Sequence, residues 1–96
     1  MRMLLKAQIP TDVGNAAIED GTLPQIIRNT LESLRAEAAY FTTMDGKRTM
    51  IAVFDMDSVS DMPRIAEPLF MGLNASIDFT PCMNASDLNL GLEKIR

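Results

Sequence analysis

Lys6 and Asp78 are the two residues of this chain whose types and positions come nearest to acid–base chemistry. Each lies on a segment that reads as a β-strand, at a position that would face the same side of a sheet. A lysine desolvated there loses basicity, and a neighbouring carboxylate can act as a base. The plainer reading of the two is a cross-strand ion pair. Gln8 and Thr80 stand beside them, able to orient a ligand carbonyl or simply to face water in a cavity. Tyr40 can donate its hydroxyl to a ligand oxygen, or pack as an ordinary aromatic with that hydroxyl satisfied. Lys6, Gln8, Tyr40, Asp78 and Thr80 are therefore the candidate ligand-binding residues, with Lys6 and Asp78 the catalytic candidates.

The rest of the inventory narrows the chemistry by what is absent. The chain has no histidine. That removes the commonest general base, the Ser-His and Cys-His nucleophile pairs, and the usual zinc, copper and non-haem iron sites. The glycines are scattered and build no phosphate-cradling loop. Asp55, Asp57 and Asp61 suggest a cation loop, but they lack the turn glycine and bidentate glutamate of a calcium site, so capping and turn formation explain them better. No metal and no cofactor are expected. Cys82 has no adjacent base and no second cysteine to bridge, so it reads as a small hydrophobe or an edge-strand thiol. Eight methionines make either a plastic core or an adaptable surface, with Met44, Met50, Met71 and Met83 the surface candidates.

A formal charge of −4 argues against a phosphate-backbone partner, which needs a clustered basic surface. No apolar run approaches the roughly 18 residues of a membrane span. The opening Met1-Arg2-Met3-Leu4-Leu5 has a signal peptide's charge, but Lys6 and Gln8 interrupt it. With a single cysteine, the expected location is cytoplasmic.

Periodicity supplies the elements that would position these residues. Met1 to Ile9 alternates, with Leu4 the exception, and Pro10 ends the strand. Thr11 to Gly21 reads as a short helical turn capped by Thr11 or Asp12 and closed by Gly21. A helix begins at Thr22, with Thr22 and Gln25 spaced as a capping box and Leu23, Ile26, Ile27, Leu31 and Leu34 along one stripe. Ala38–Thr43 and Arg48–Asp55 flank Asp45-Gly46, a hairpin signal, because both turn residues need positive φ. Met50 to Phe54 is apolar on both faces, as a central strand would be. A second helix carries Met62, Ile65, Ala66, Leu69 and Leu73, with caps available at Asp57, Ser58 and Ser60. Pro68 within it predicts a kink or break near residues 64 to 68. Ala75 to Met83 alternates again, and Pro81 places that strand at an edge. Asn84 then caps a last helix through Leu88, Leu92 and Ile95.

Strand–helix–strand–strand–helix–strand is the ferredoxin-like split unit, an α+β fold. Its antiparallel sheet order would be 4-1-3-2 in a single domain spanning residues 1–96. Helices would cover one face. The other would display Lys6, Gln8, Asp78 and Thr80 beside either Ile51 and Val53 or Met50, Ala52 and Phe54. Exposed hydrophobes on such a face predict a homodimer, since burying four of them is worth roughly 6 kcal/mol before association costs.

Strand order, length and the extra C-terminal helix resemble the dimeric α+β barrel superfamily, which includes muconolactone isomerase-like and antibiotic-biosynthesis monooxygenase-like domains. Gly21-Thr22-Leu23-Pro24, Glu37-Ala38-Ala39-Tyr40-Phe41 and Ala66-Glu67-Pro68-Leu69-Phe70-Met71 resemble a family of small uncharacterised bacterial proteins, over essentially the whole chain. The resemblance implies a bacterial homodimer paired through its open sheet face. The function expected is small-molecule binding or an accessory role, with a small hydrophobic ligand. The alternative is a cofactor-independent isomerase or monooxygenase-like enzyme acting on a hydrophobic cyclic substrate, with Lys6 and Asp78 moving the proton. The haem chemistry of some members has no counterpart here, because the chain has no histidine to ligate the iron.

Overall fold

The computed structural model describes residues 1–96. Strand β1 (Arg2–Ile9) alternates strictly between buried and half-buried residues, as its sequence does. Strands β2 (Ala38–Met44) and β3 (Lys47–Asp55) form the expected hairpin. Asp45 and Gly46 have φ of 55° and 72°, the left-handed pair that a type I′ turn requires. Strand β4 (Ser76–Pro81) ends on its proline, where a missing donor costs least. All neighbours pair antiparallel, in the order β2-β3-β1-β4; counted from the other edge, the same strands run β4-β1-β3-β2. β1 and β3 are thus central, and the two-faced apolar segment Met50–Phe54 has strands on both edges, although helices cover only its Met50, Ala52 and Phe54 face. The architecture is α+β, one four-stranded antiparallel sheet with four α-helices.

Three helices cover one sheet face: α1 (Thr11–Glu19), α2 (Thr22–Leu34) and α3 (Met62–Leu73). Their apolar stripes meet Met3, Leu5, Ala7, Ile9, Met50, Ala52 and Phe54 from the strands in one continuous core. Phe54 and Phe79 meet edge to face at 6.3 Å within it.

The helix ends differ from the sequence expectations. α1 is a helix of 9 residues rather than a turn, with Pro10 at its N-cap and no side-chain cap; Asp12 accepts only from the adjacent Val13 amide. The Thr22–Gln25 capping box does not form. Gly21 occupies the N-cap of α2 at φ 81°, and Asp20 takes both the Thr22 amide at 2.9 Å and its hydroxyl at 2.6 Å. A left-handed glycine folds the chain back so that the preceding carboxylate, rather than the threonine, reaches the free amide. A 3-10 turn (Val59–Asp61), capped by Ser58, leads into α3. α3 then runs unbroken through Pro68 to Asn74, whose φ of 50° ends it. The proline is exposed, so the carbonyl it leaves without a donor sits at the helix surface, where solvent can replace the bond.

The last helix, α4 (Ala85–Glu93), begins with the capping box that its sequence predicts. Asn84 accepts from the Asp87 amide at 2.8 Å, and Asp87 accepts from the Asn84 amide at 3.1 Å. No residue of α4 is buried, and none belongs to the hydrophobic core; Arg2 of β1 ties it to the body through Asp87. The molecule measures 55 × 27 × 17 Å with a radius of gyration of 15.1 Å. A compact domain of this length has a radius of gyration of about 12.5 Å.

Candidate functional site

Strand parity sorts the chemistry-bearing residues onto the sheet face that α1, α2 and α3 leave uncovered. The pairing register arranges that face in rows across all four strands. The middle row reads Tyr40, Ile51, Lys6, Asp78 from β2 to β4. One flanking row is Ala38, Val53, Leu4, Thr80; the other is Thr42, Thr49, Gln8, Ser76. At about 4.8 Å between strands, a row spans about 14 Å. All five candidate residues therefore share one face, and three of them share one row. The register also decides which residues of β3 join them. Ile51 and Val53 face outward, half-buried, whereas Met50, Ala52 and Phe54 belong to the core.

Leu4, the exception to the alternation of β1, lies on this same open face. Together with Ile51, Val53 and Tyr40 it forms an apolar strip, and none of the four belongs to the hydrophobic core. Tyr40 is 69% exposed. Lys6 is half-buried beside Ile51 and directly opposite Asp78. The two are register partners, yet they are not among the ion pairs of the chain. Both charges are left free for another group. Thr80 is exposed opposite Leu4. Gln8 already has work in the fold: its side-chain nitrogen donates to the Met44 carbonyl at 3.0 Å and to Asp45 at 3.1 Å, latching the β2–β3 turn to β1. Only its amide oxygen remains for a ligand.

A charged cluster closes one end of the face. Arg2 donates from Nε to Glu37 at 3.1 Å and from a terminal nitrogen to Asp87 at 2.7 Å. The Glu37 hydrogen bond, aided by the charges of Glu37 and Asp87, raises the Arg2 guanidinium above its ordinary value. Beside it, the chain's N-terminal ammonium donates to Asp55 at 2.7 Å, and that bond holds the Asp55 carboxyl below the usual range. Asp55 is thus engaged in an ion pair; no three Asp, Glu or Cys side chains converge as a metal-holding group. Sequence reasoning did not single out Arg2. Its partners lie 35 and 85 residues away, and no local pattern announces such contacts.

The concavities of the single chain lie away from the middle row. One of about 280 Å³ runs between α2 and α3, bordered by Ile26, Thr30, Arg64 and Pro68. Another, of about 530 Å³, surrounds the Arg2 cluster. None of the chain's concavities is lined by Lys6, Gln8, Tyr40, Asp78 or Thr80. In one copy these residues form a platform and not a pocket. The Cys82 thiol is free and half-buried beside the charged cluster. Met3, Met50 and Met56 are in the core, while Met71 and Met83 are exposed. No helix is long and apolar enough to cross a membrane.

Compared with known protein families and with curated proteins, the chain matches none.

Proposed function

We propose that the chain is a ferredoxin-like subunit of a cytoplasmic homodimer that pairs through its open sheet face and holds a small hydrophobic molecule between the two sheets, in a binding or accessory role. The middle row carries this reading: an aromatic ring and a branched apolar side chain stand beside an unpaired ammonium and an unpaired carboxylate, on a face no helix of the body covers. Leu4, Ile51, Val53 and Tyr40 are already partly covered by their neighbours. Burying what remains contributes about 1 kcal/mol each, or about 4 kcal/mol per copy. Two sheets stacked at about 10 Å leave room for side chains and a thin ligand. The resemblance to the dimeric α+β barrel proteins points the same way.

Native mass spectrometry of the purified protein tests this directly, reporting subunit number and any retained molecule together. A dimer carrying a small adduct is expected. A monomer at micromolar concentration, with no adduct, ends the proposal.

The free state of Lys6 and Asp78 favours one second reading, the cofactor-independent isomerase or monooxygenase-like enzyme on a hydrophobic cyclic substrate. There Lys6 and Asp78 would relay the proton. Lys6→Met separates the two. Loss of turnover in a folded dimer supports the enzyme; turnover and ligand retention both unchanged from the parent remove Lys6 from either role.

A further inference from the structure

α4 is folded and capped, yet contributes nothing to its own chain's core. Ala85, Leu88 and Leu92 follow helical spacing along one side of it, and Ile95 continues that spacing in the turn just beyond, with Gly91 leaving the surface between them smooth. Leu88 is 45% exposed, Leu92 51% and Ile95 79%. A second apolar surface, the Leu4–Ile51–Val53–Tyr40 strip, is likewise left open. We infer that α4 is an arm that docks on a second copy of this chain, packing its Leu88–Leu92–Ile95 face against the partner's open sheet face and walling the cleft that contains Lys6 and Asp78. The inference rests on the pairing proposed above.

The connection to α4 opposes a fold back onto its own sheet. The backbone pairing of β4 with β1 continues to Cys82, whose amide donates to the Arg2 carbonyl at 3.1 Å. Only Met83 and Asn84 then precede the helix. Its first turn is tied again through Asp87, held by Arg2 at 2.7 Å and by the Asn84 amide. The helix is thereby held clear of the body, and the long dimension of 55 Å is about twice the 26 Å length of an eight-residue strand.

The area needed by a stable pair points to the same occupant. The open face is about 14 Å wide and 20 to 26 Å long, a footprint of about 300 to 350 Å². A standard interface takes about 800 Å² of accessible surface from each partner. Pleating raises the accessible area above the footprint, but sheet-to-sheet contact alone stays at the small end. An arm of 9 residues, about 13 Å long and 10 Å wide, adds surface on both copies, because each copy gives an arm and receives one. One arm and one receiving face per chain close under a two-fold axis, leaving neither surface unpaired.

Sedimentation of three full-length proteins tests the inference: the parent, the triple variant Leu88→Ser, Leu92→Ser, Ile95→Ser, and Ile51→Lys on the sheet face. The parent is expected to be a dimer, and the triple variant to have a dissociation constant raised about a hundredfold. Its far-ultraviolet spectrum should stay unchanged, since α4 buries nothing in its own chain. A benzophenone amino acid replacing Leu92, in an equal mixture of isotopically heavy and light copies, should give mixed-mass cross-linked peptides. If the triple variant dimerises as tightly as the parent while Ile51→Lys is monomeric, the arm is refuted and the sheet pairing stands. If the parent is itself a monomer, both fall, and same-mass cross-links would then place α4 on its own chain.

Discussion

Met1 and Asp55 meet at one end of the β1–β3 pairing, the ammonium donating to the carboxylate at 2.7 Å and to the Met56 carbonyl at 3.0 Å. The bond to the ammonium, then its charge, lowers the Asp55 carboxyl from its ordinary 3.8. Asp20, holding the amide and hydroxyl of Thr22, is lowered for a similar reason. A carboxyl depressed in the folded state stabilises it fully above the unfolded value. That contribution fades as pH falls through the folded value. Both groups therefore act on the acid side. Urea unfolding followed from neutral pH down to about pH 2 should show a loss of stability beginning near pH 4 to 5. Asp55→Asn should flatten part of that limb without altering its neutral slope with pH. An unchanged acid limb would remove Asp55 from the account.

At the level of elements, the hairpin and the last helix make opposite predictions. Gly46 sits at φ 72° in the β2–β3 turn, and Gln8 fastens that turn to β1. Nothing crowds the position where a Cβ would stand, so the cost of Gly46→Ala is backbone strain alone. Thermal or urea unfolding should show a loss of about 1 kcal/mol. Asn84→Ala removes half of the capping box of α4 and should cost that helix about 1 kcal/mol. Because α4 buries no residue in its own chain, the global unfolding midpoint of the monomer should not move. Amide exchange within Ala85–Glu93 should instead quicken several-fold. In protein dilute enough to be monomeric, a fall in the global midpoint would mean that α4 is part of the monomer's cooperative unit.

For the whole molecule, the uncovered sheet face and the free arm are two apolar surfaces on one small chain. If both are buried between copies, folding is linked to association, and the thermal midpoint rises with protein concentration. Val53→Lys, on the open face opposite Leu4, should abolish that dependence while leaving the core intact. Calorimetry at two concentrations well apart checks it. A concentration-independent midpoint for the parent protein would contradict the dimer.

The alternation of β1, the two-faced apolar run of β3, the Asp45-Gly46 turn and the Asn84 cap were all legible in the residues. Each is written in neighbours a few positions apart, where backbone geometry alone decides the outcome. Parity likewise placed Lys6, Gln8, Asp78 and Thr80 on one side, because the strand period allows only two. What local pattern left open needed the third dimension. Register chose Ile51 and Val53 over Met50, Ala52 and Phe54 for the open face, and it aligned Tyr40 with Lys6 and Asp78 across three strand pairings. Arg2 found Glu37 and Asp87 far along the chain, and Asp20 displaced the expected cap of α2 because a left-handed Gly21 turned the chain. The freedom of α4 is the furthest from sequence: its leucine stripe reads like any core-facing helix, and only the packing of the other elements shows that its own core has no place for it.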